Sequence, residues 1–98
     1  MTTFVISYYA PENYVPGRSD DMSAWAAWFE SIGANLVDIG HPVREATQLG
    51  DHGTDQRLRG SSVIATTDLD AALMIARGCP GLSDPGFGVE VGVVEEVS

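Results

Sequence analysis

Few residues in this 98-residue chain are equipped to move protons. His41 follows Asp38 by three positions, in the segment Asp38-Ile39-Gly40-His41-Pro42. A carboxylate that orients an imidazole makes a general base effective near neutral pH. The same residue types also make an ordinary surface turn carrying an exposed histidine. Glu90 interrupts a run of small and apolar residues, Gly88 to Val94. In a cleft, burial would raise its pKa and suit it to acid–base work; on an edge strand, its charge would instead block strand pairing. Ser7 and Tyr9 fall on the face that Glu90 would share, where a hydroxyl and a phenol suit a polar ligand. The candidate catalytic pair is therefore His41 with Asp38, and the candidate ligand-binding set is Ser7, Tyr9 and Glu90.

Other reactive types carry less. His52 stands between Asp51 and Asp55 in GDHGTD, but the spacing fits no metal-binding loop and no second ligand-bearing element accompanies it; no metal site and no cofactor are expected. Cys79 is the single cysteine, which excludes an intrachain disulfide. It sits where a helix should end, and the negative end of a helix dipole disfavours a thiolate. No glycine-rich phosphate loop is present. Arg44, Arg57 and Arg59 suit a carboxylate substrate or local acids, and in so acidic a chain pairing with local acids is expected.

The elements that must position these groups follow from periodicity. Thr3 to Tyr9 is β-branched, aromatic and apolar at nearly every position, which predicts a strand buried on both faces in the middle of a sheet. Ser19 suits a helix N-cap, with Asp20 and Asp21 favourable in the first turn. Met22, Trp25, Phe29 and Ile32, flanked by Trp28, then mark an amphipathic helix over Asp20 to Ile32, closed by Gly33. Asn35 to Ile39 reads as short and extended. Val43 to Leu49 and Arg57 to Thr66 are expected to form a hairpin around the turn GDHGTD. Thr67 or Asp68 caps a second helix with the stripe Leu69, Ala72, Leu73 and Ala76, and Phe87 to Val97 is a last strand.

That order, βαββαβ, is the split-βαβ, ferredoxin-like α+β arrangement: a four-stranded antiparallel sheet with two helices on one face. The length is that of one domain spanning residues 1–98. If Phe4, Ile6 and Tyr8 face the helices, then Val5, Ser7 and Tyr9 face outward with Val63, Ala65, Glu90, Gly92 and Val94. A slip of one residue would exchange the two sets. The outward set is too apolar to leave in water, and its small residues would let an identical sheet approach, so a two-fold homodimer is expected.

The segments AWAAWFESIGANLVDIGHPV, RGSSVIATTDLDAALMIARGCPGL and GVEVGVVE resemble the YCII-related, DGPF-type family of small dimeric α/β-barrel proteins. The resemblance rests on the helix–Gly33–LVDIG junction, the stretch from Gly60 to Asp70, and the turn Gly78 to Pro80. It implies a homodimer with sheets packed face to face and a small-molecule cleft in or beside the barrel. Some relatives are cofactor-free enzymes acting on small organic acids through a His–Asp pair. Here the position of the family histidine, near the start of the first helix, holds Met22, and the turn matching DGPF reads DHGTD.

The net charge of −9, with fourteen acids against five arginines and no lysine, repels phosphate backbones and anionic lipid, so neither nucleic acid nor membrane is an expected partner. The apolar run at Met1 to Ala10 lacks a basic leader and a cleavage site, and no run approaches the ~20 residues of a bilayer span. A cytoplasmic protein is expected. Two function classes remain: a non-catalytic homodimeric module that binds a small organic molecule, and a cofactor-free lyase or isomerase of a small carboxylate-bearing substrate.

Overall fold

The computed structural model describes residues 1–14, 22–53 and 55–95. The elements are β1 (Thr2–Pro11), α1 (Met22–Ile32), β2 (Leu36–Asp38), β3 (Gln56–Thr66), α2 (Leu69–Ala76) and β4 (Gly88–Val93), with short 3-10 turns at Gly33–Asn35 and Pro80–Ser83. The sheet order is β2-β3-β1-β4, and each neighbouring pair is antiparallel. This is the ferredoxin-like α+β fold. The proposed cap at Ser19, with Asp20 and Asp21, lies outside the described residues; the last strand, expected over Phe87 to Val97, covers only Gly88–Val93.

β1 occupies the centre because both its neighbours need it. Val5 pairs with Val63 on one side and Gly92 on the other, and Ser7 with Ser61 and Glu90. Its alternate residues Phe4, Ile6, Tyr8 and Ala10 are buried. They join Ile64 of β3, Trp28 and Ile32 of α1, Ala72 and Ala76 of α2, and Cys79 in one core. Both helices therefore cover the same face. Val5, Ser7, Tyr9, Val63 and Ala65 lie half-buried on the other, and Glu90 and Gly92 are exposed there, so of the two parities open in the sequence the chain adopts the one with Phe4, Ile6 and Tyr8 under the helices.

Helix ends follow local chemistry. The Asp68 carboxylate accepts from Ala71 N at 2.9 Å and caps α2. Gly33 takes φ +61° after α1, the left-handed conformation that favours glycine. Trp28 anchors α1 to α2 by donating from Nε1 to Ile75 O at 3.0 Å. The expected stripe is rotated at its start: Met22 is 77% exposed, and Trp28, taken as flanking, is buried.

The expected hairpin does not form. β3 pairs instead with β2, Leu36 against Ile64 and Asp38 against Val63. Beyond β2 the chain stays beside β3 through a single Pro42–Gly60 bridge and a hydrogen bond from Val43 N to Arg59 O at 2.8 Å. Val43 to Leu49 is not a strand. Its alternation puts Glu45, Thr47 and Leu49 in solvent, with no apolar set to bury, and Pro42 at its start lacks the donor a ladder needs.

Candidate functional site

A cavity of about 380 Å³ opens between α1, the Ile39–Pro42 segment and the end of the sheet. Trp25 and Phe29 from α1, Tyr8 from β1 and Phe87 before β4 form its aromatic walls, and His41 and Arg59 supply polar groups. The rings support one another: Tyr8 and Trp25 meet edge to face at 5.4 Å between centroids, and Trp25 lies 6.0 Å from Phe29 and 6.3 Å from Phe87. Such contacts orient rings beyond what area burial alone achieves. Met22 lines the cavity too.

The histidine segment is held by β3. Tyr8 Oη lies 2.8 Å from Ser62 Oγ, and Ser62 Oγ donates to Ile39 O at 2.7 Å. With that proton spent on Ile39, Tyr8 is the donor to Ser62, giving the chain Tyr8 → Ser62 → Ile39. Burial pushes the Tyr8 phenol up to about 12, against a smaller opposing effect of the Ser62 hydrogen bond. Tyr8 is thus a neutral strut for the wall, with its proton already committed. Gly40 presses its α-carbon side onto β3: at φ +78°, a Cβ there would meet Ser61 O at 1.7 Å. His41 follows directly and joins the cavity wall.

Asp38 serves this segment differently from the pairing expected of it. Its Oδ1 accepts from Gly40 N at 2.8 Å, which caps the turn, and among the described residues no hydrogen bond joins it to His41. Asp38 is not among the cavity walls.

Ser7, Tyr9 and Glu90 lie on the opposite, open face. A second concavity there is lined by Tyr9, Glu90, Leu58, Gln56, His52 and residues Ala46 to Gln48. Tyr9 and Glu90 come together in it, and His52 joins them; Ser7 sits outside it, across from Ser61 and Glu90. Among the described residues no three His, Cys, Asp or Glu side chains cluster as a metal site would require. Cys79 is buried, and burial pushes its thiol up to about 11, partly offset by hydrogen bonds from Gly81 and Leu82; it is not poised as a nucleophile.

Arg59 and Phe87 were missed as cavity residues. The signal for Arg59 is the glycine beside it. Between β1 and β3 the register slips, Tyr8 opposing Gly60 and Tyr9 opposing Leu58, so Arg59 is the extra residue of a bulge. Gly60 accommodates it at φ +149°. Bulges re-aim side chains: this one sends Leu58 to the open face and Arg59 to the cavity.

The solved structure of 5-chloro-2-hydroxyhydroquinone dehydrochlorinase (TftG) from Burkholderia phenoliruptrix AC1100, in complex with 2,5-dihydroxybenzoquinone, is similar to this chain. The TM-score is 0.68 at 17% identity, covering 97% of this chain and 95% of that one. The two share a fold. No protein-family model matches this chain, and no curated protein matches it in sequence. Among the described residues no helix is long and apolar enough to cross a membrane.

Proposed function

We propose that this chain is a YCII-related protein of the dimeric α/β-barrel type, and that each copy binds a small planar organic molecule in the cavity beneath α1. One observation carries the reading: a cavity of about 380 Å³, within the range of small-molecule sites, with aromatic walls and a few polar residues, His41 and Arg59 among them. Rings stack well on such walls, and few polar groups suffice to orient a ligand. The bound quinone of the structurally similar dehydrochlorinase supports a flat, oxygenated ring as the ligand shape. The open sheet face, with Val5, Val63 and Ala65 only half-buried, supports pairing with a second copy.

A second reading puts chemistry in the same cavity. His41 is in the wall, and an imidazole there would take or return a proton on a bound ring without a cofactor, as a lyase or isomerase requires. His41, without Asp38, would be its proton carrier.

Calorimetric titration with 2,5-dihydroxybenzoquinone and a panel of planar aromatic acids tests the binding reading. At least one member should bind and raise the melting temperature. Ala26→Trp, a substitution at an exposed position of the cavity wall, should abolish both effects without unfolding the chain. Absence of binding across the panel at millimolar concentration would overturn it. Turnover of a bound member, lost in His41→Ala, would decide for the second reading.

A further inference from the structure

The cavity holds a positive charge that the rest of the described chain leaves unneutralised. Arg57, two residues away, pairs with Glu12 at 3.6 Å. Arg59 has no carboxylate partner among the described residues, although the chain carries fourteen acids. Its guanidinium is instead held by backbone: Nη2 donates to Pro11 O at 3.0 Å and Glu12 O at 3.5 Å, and Nη1 to Arg44 O at 3.3 Å. It also lies 5.6 Å from the centre of the Tyr14 ring. Its Nε is buried without a hydrogen-bond partner. Carbonyls and a ring face fix orientation and offer partial charges, but none of them cancels a full positive charge.

Resting on the cavity reading above, we infer that Arg59 is the cationic anchor of the cavity and that the ligand is a planar organic anion. Its ring lies against Trp25 and Phe29, and its carboxylate or acidic enol oxygen meets the guanidinium. Three arguments converge. A partly buried cation with no counter-charge among the described residues costs stability, and an anionic ligand would offset that cost. The bulge at Gly60 turns this one arginine out of strand alternation and into the cavity. Finally, the Tyr8 phenol in the wall has its proton committed to Ser62, so the cation available there to an acidic oxygen is Arg59, with His41 beside it. Guanidinium held in a fixed orientation favours a planar, two-oxygen acceptor.

Matched probes of one shape and different charge test this. Wild-type protein is titrated calorimetrically with 2-naphthoate and with 2-naphthamide at neutral pH. The acid should bind about tenfold more tightly or better, the increment of one charge-assisted contact, and the preference should shrink with added salt. Arg59→Gln should bring the two probes close together, because it weakens naphthoate binding far more than naphthamide binding. Arg59→Lys keeps the charge but loses the fork, and should retain the preference with severalfold weaker naphthoate binding. Equal affinities in the wild type would overturn the anchor and leave the cavity reading standing; binding of neither probe would overturn both. If Arg59→Gln does not fold, naphthoate binding to Arg59→Lys that is as tight as in the wild type would sink the inference.

Discussion

Ser62 is the residue on which the site depends most, and its removal has a calculable cost. It is 1% exposed, accepts from Tyr8 at 2.8 Å and donates to Ile39 O at 2.7 Å. Ser62→Ala deletes both bonds and leaves the buried Tyr8 hydroxyl without an acceptor. An orphaned buried polar group costs about 1–3 kcal/mol, and each kcal/mol moves the melting temperature of a domain this size by roughly 4–8 °C. The expected drop is therefore about 4–24 °C. The cost should depend on Tyr8. In a Tyr8→Phe background no phenol remains to be orphaned, so Ser62→Ala should cost only its bond to the half-solvated Ile39 segment, about 1 kcal/mol. A double-mutant cycle by urea denaturation should then give a coupling of about 1 kcal/mol or more between the two positions. Ser62→Ala should also weaken ligand binding through the freed Ile39–Pro42 segment, without touching the ligand. Additive effects of Tyr8→Phe and Ser62→Ala would refute the strut.

Other perturbations test neighbouring parts of the argument. Gly40→Ala places a Cβ 1.7 Å from Ser61 O at φ +78°; the left-handed backbone alone costs about 1–2 kcal/mol, and relief of the clash must push His41 off β3, so thermal denaturation and titration should both show losses larger than for His41→Ala. Raising the pH should destabilise the fold. Tyr8 moves from 10.0 to about 12 and Cys79 from 9.0 to about 11 on folding; a raised acid contributes stability that is intact below its unfolded pKa and lost as pH climbs through its folded one. The melting temperature should therefore fall between about pH 9 and 12, with a shallower fall in Tyr8→Phe and Cys79→Ala. On the open face, Val63→Glu should convert a species of about twice the 10.4 kDa chain mass into one of single mass by light scattering, and a wild-type monomer at micromolar concentration would refute the face-to-face pairing.

The parts of the fold set by short-range periodicity could be read from the chain. The apolar run of β1 marked it as a central strand and reduced its faces to two parities, and Asp68 and Gly33 announced their helix boundaries. The edge of the sheet could not be read in this way. Leu36–Asp38 is three residues long, too short for alternation to register, whereas Val43 to Leu49 alternates weakly without any apolar face to bury. Choosing between them needs the tertiary fact that β3 accepts Leu36 opposite Ile64. The candidate site divides along the same line. His41 lies in the cavity wall, but Asp38 went to the nearer partner: Gly40 N is two residues away, and an Asx turn closes locally at little entropic cost. Tyr9 and Glu90 line one concavity, on a face separate from the cavity.

The bulge joins these two faces, and it explains why a reading in linear motifs went past the cavity. In an uninterrupted β3, alternation from buried Gly60 would put Arg59 on the open face and Leu58 against the core. One extra residue reverses both. Leu58 then adds apolar surface to the face proposed for pairing, and Arg59 adds charge to the cavity. The same slip lets Gly60 approach the His41 segment: a Cβ there would stand 3.0 Å from His41 O, and Pro42 bridges to it. A single irregularity therefore positions the arginine, clears space for the histidine loop and enlarges the apolar face. Gly60→Ala would test that linkage, because strain at φ +149° and the contact with His41 O act on one residue. Removing the bulge should lower ligand affinity and dimer stability together. Loss of either alone would show that the two faces are built independently.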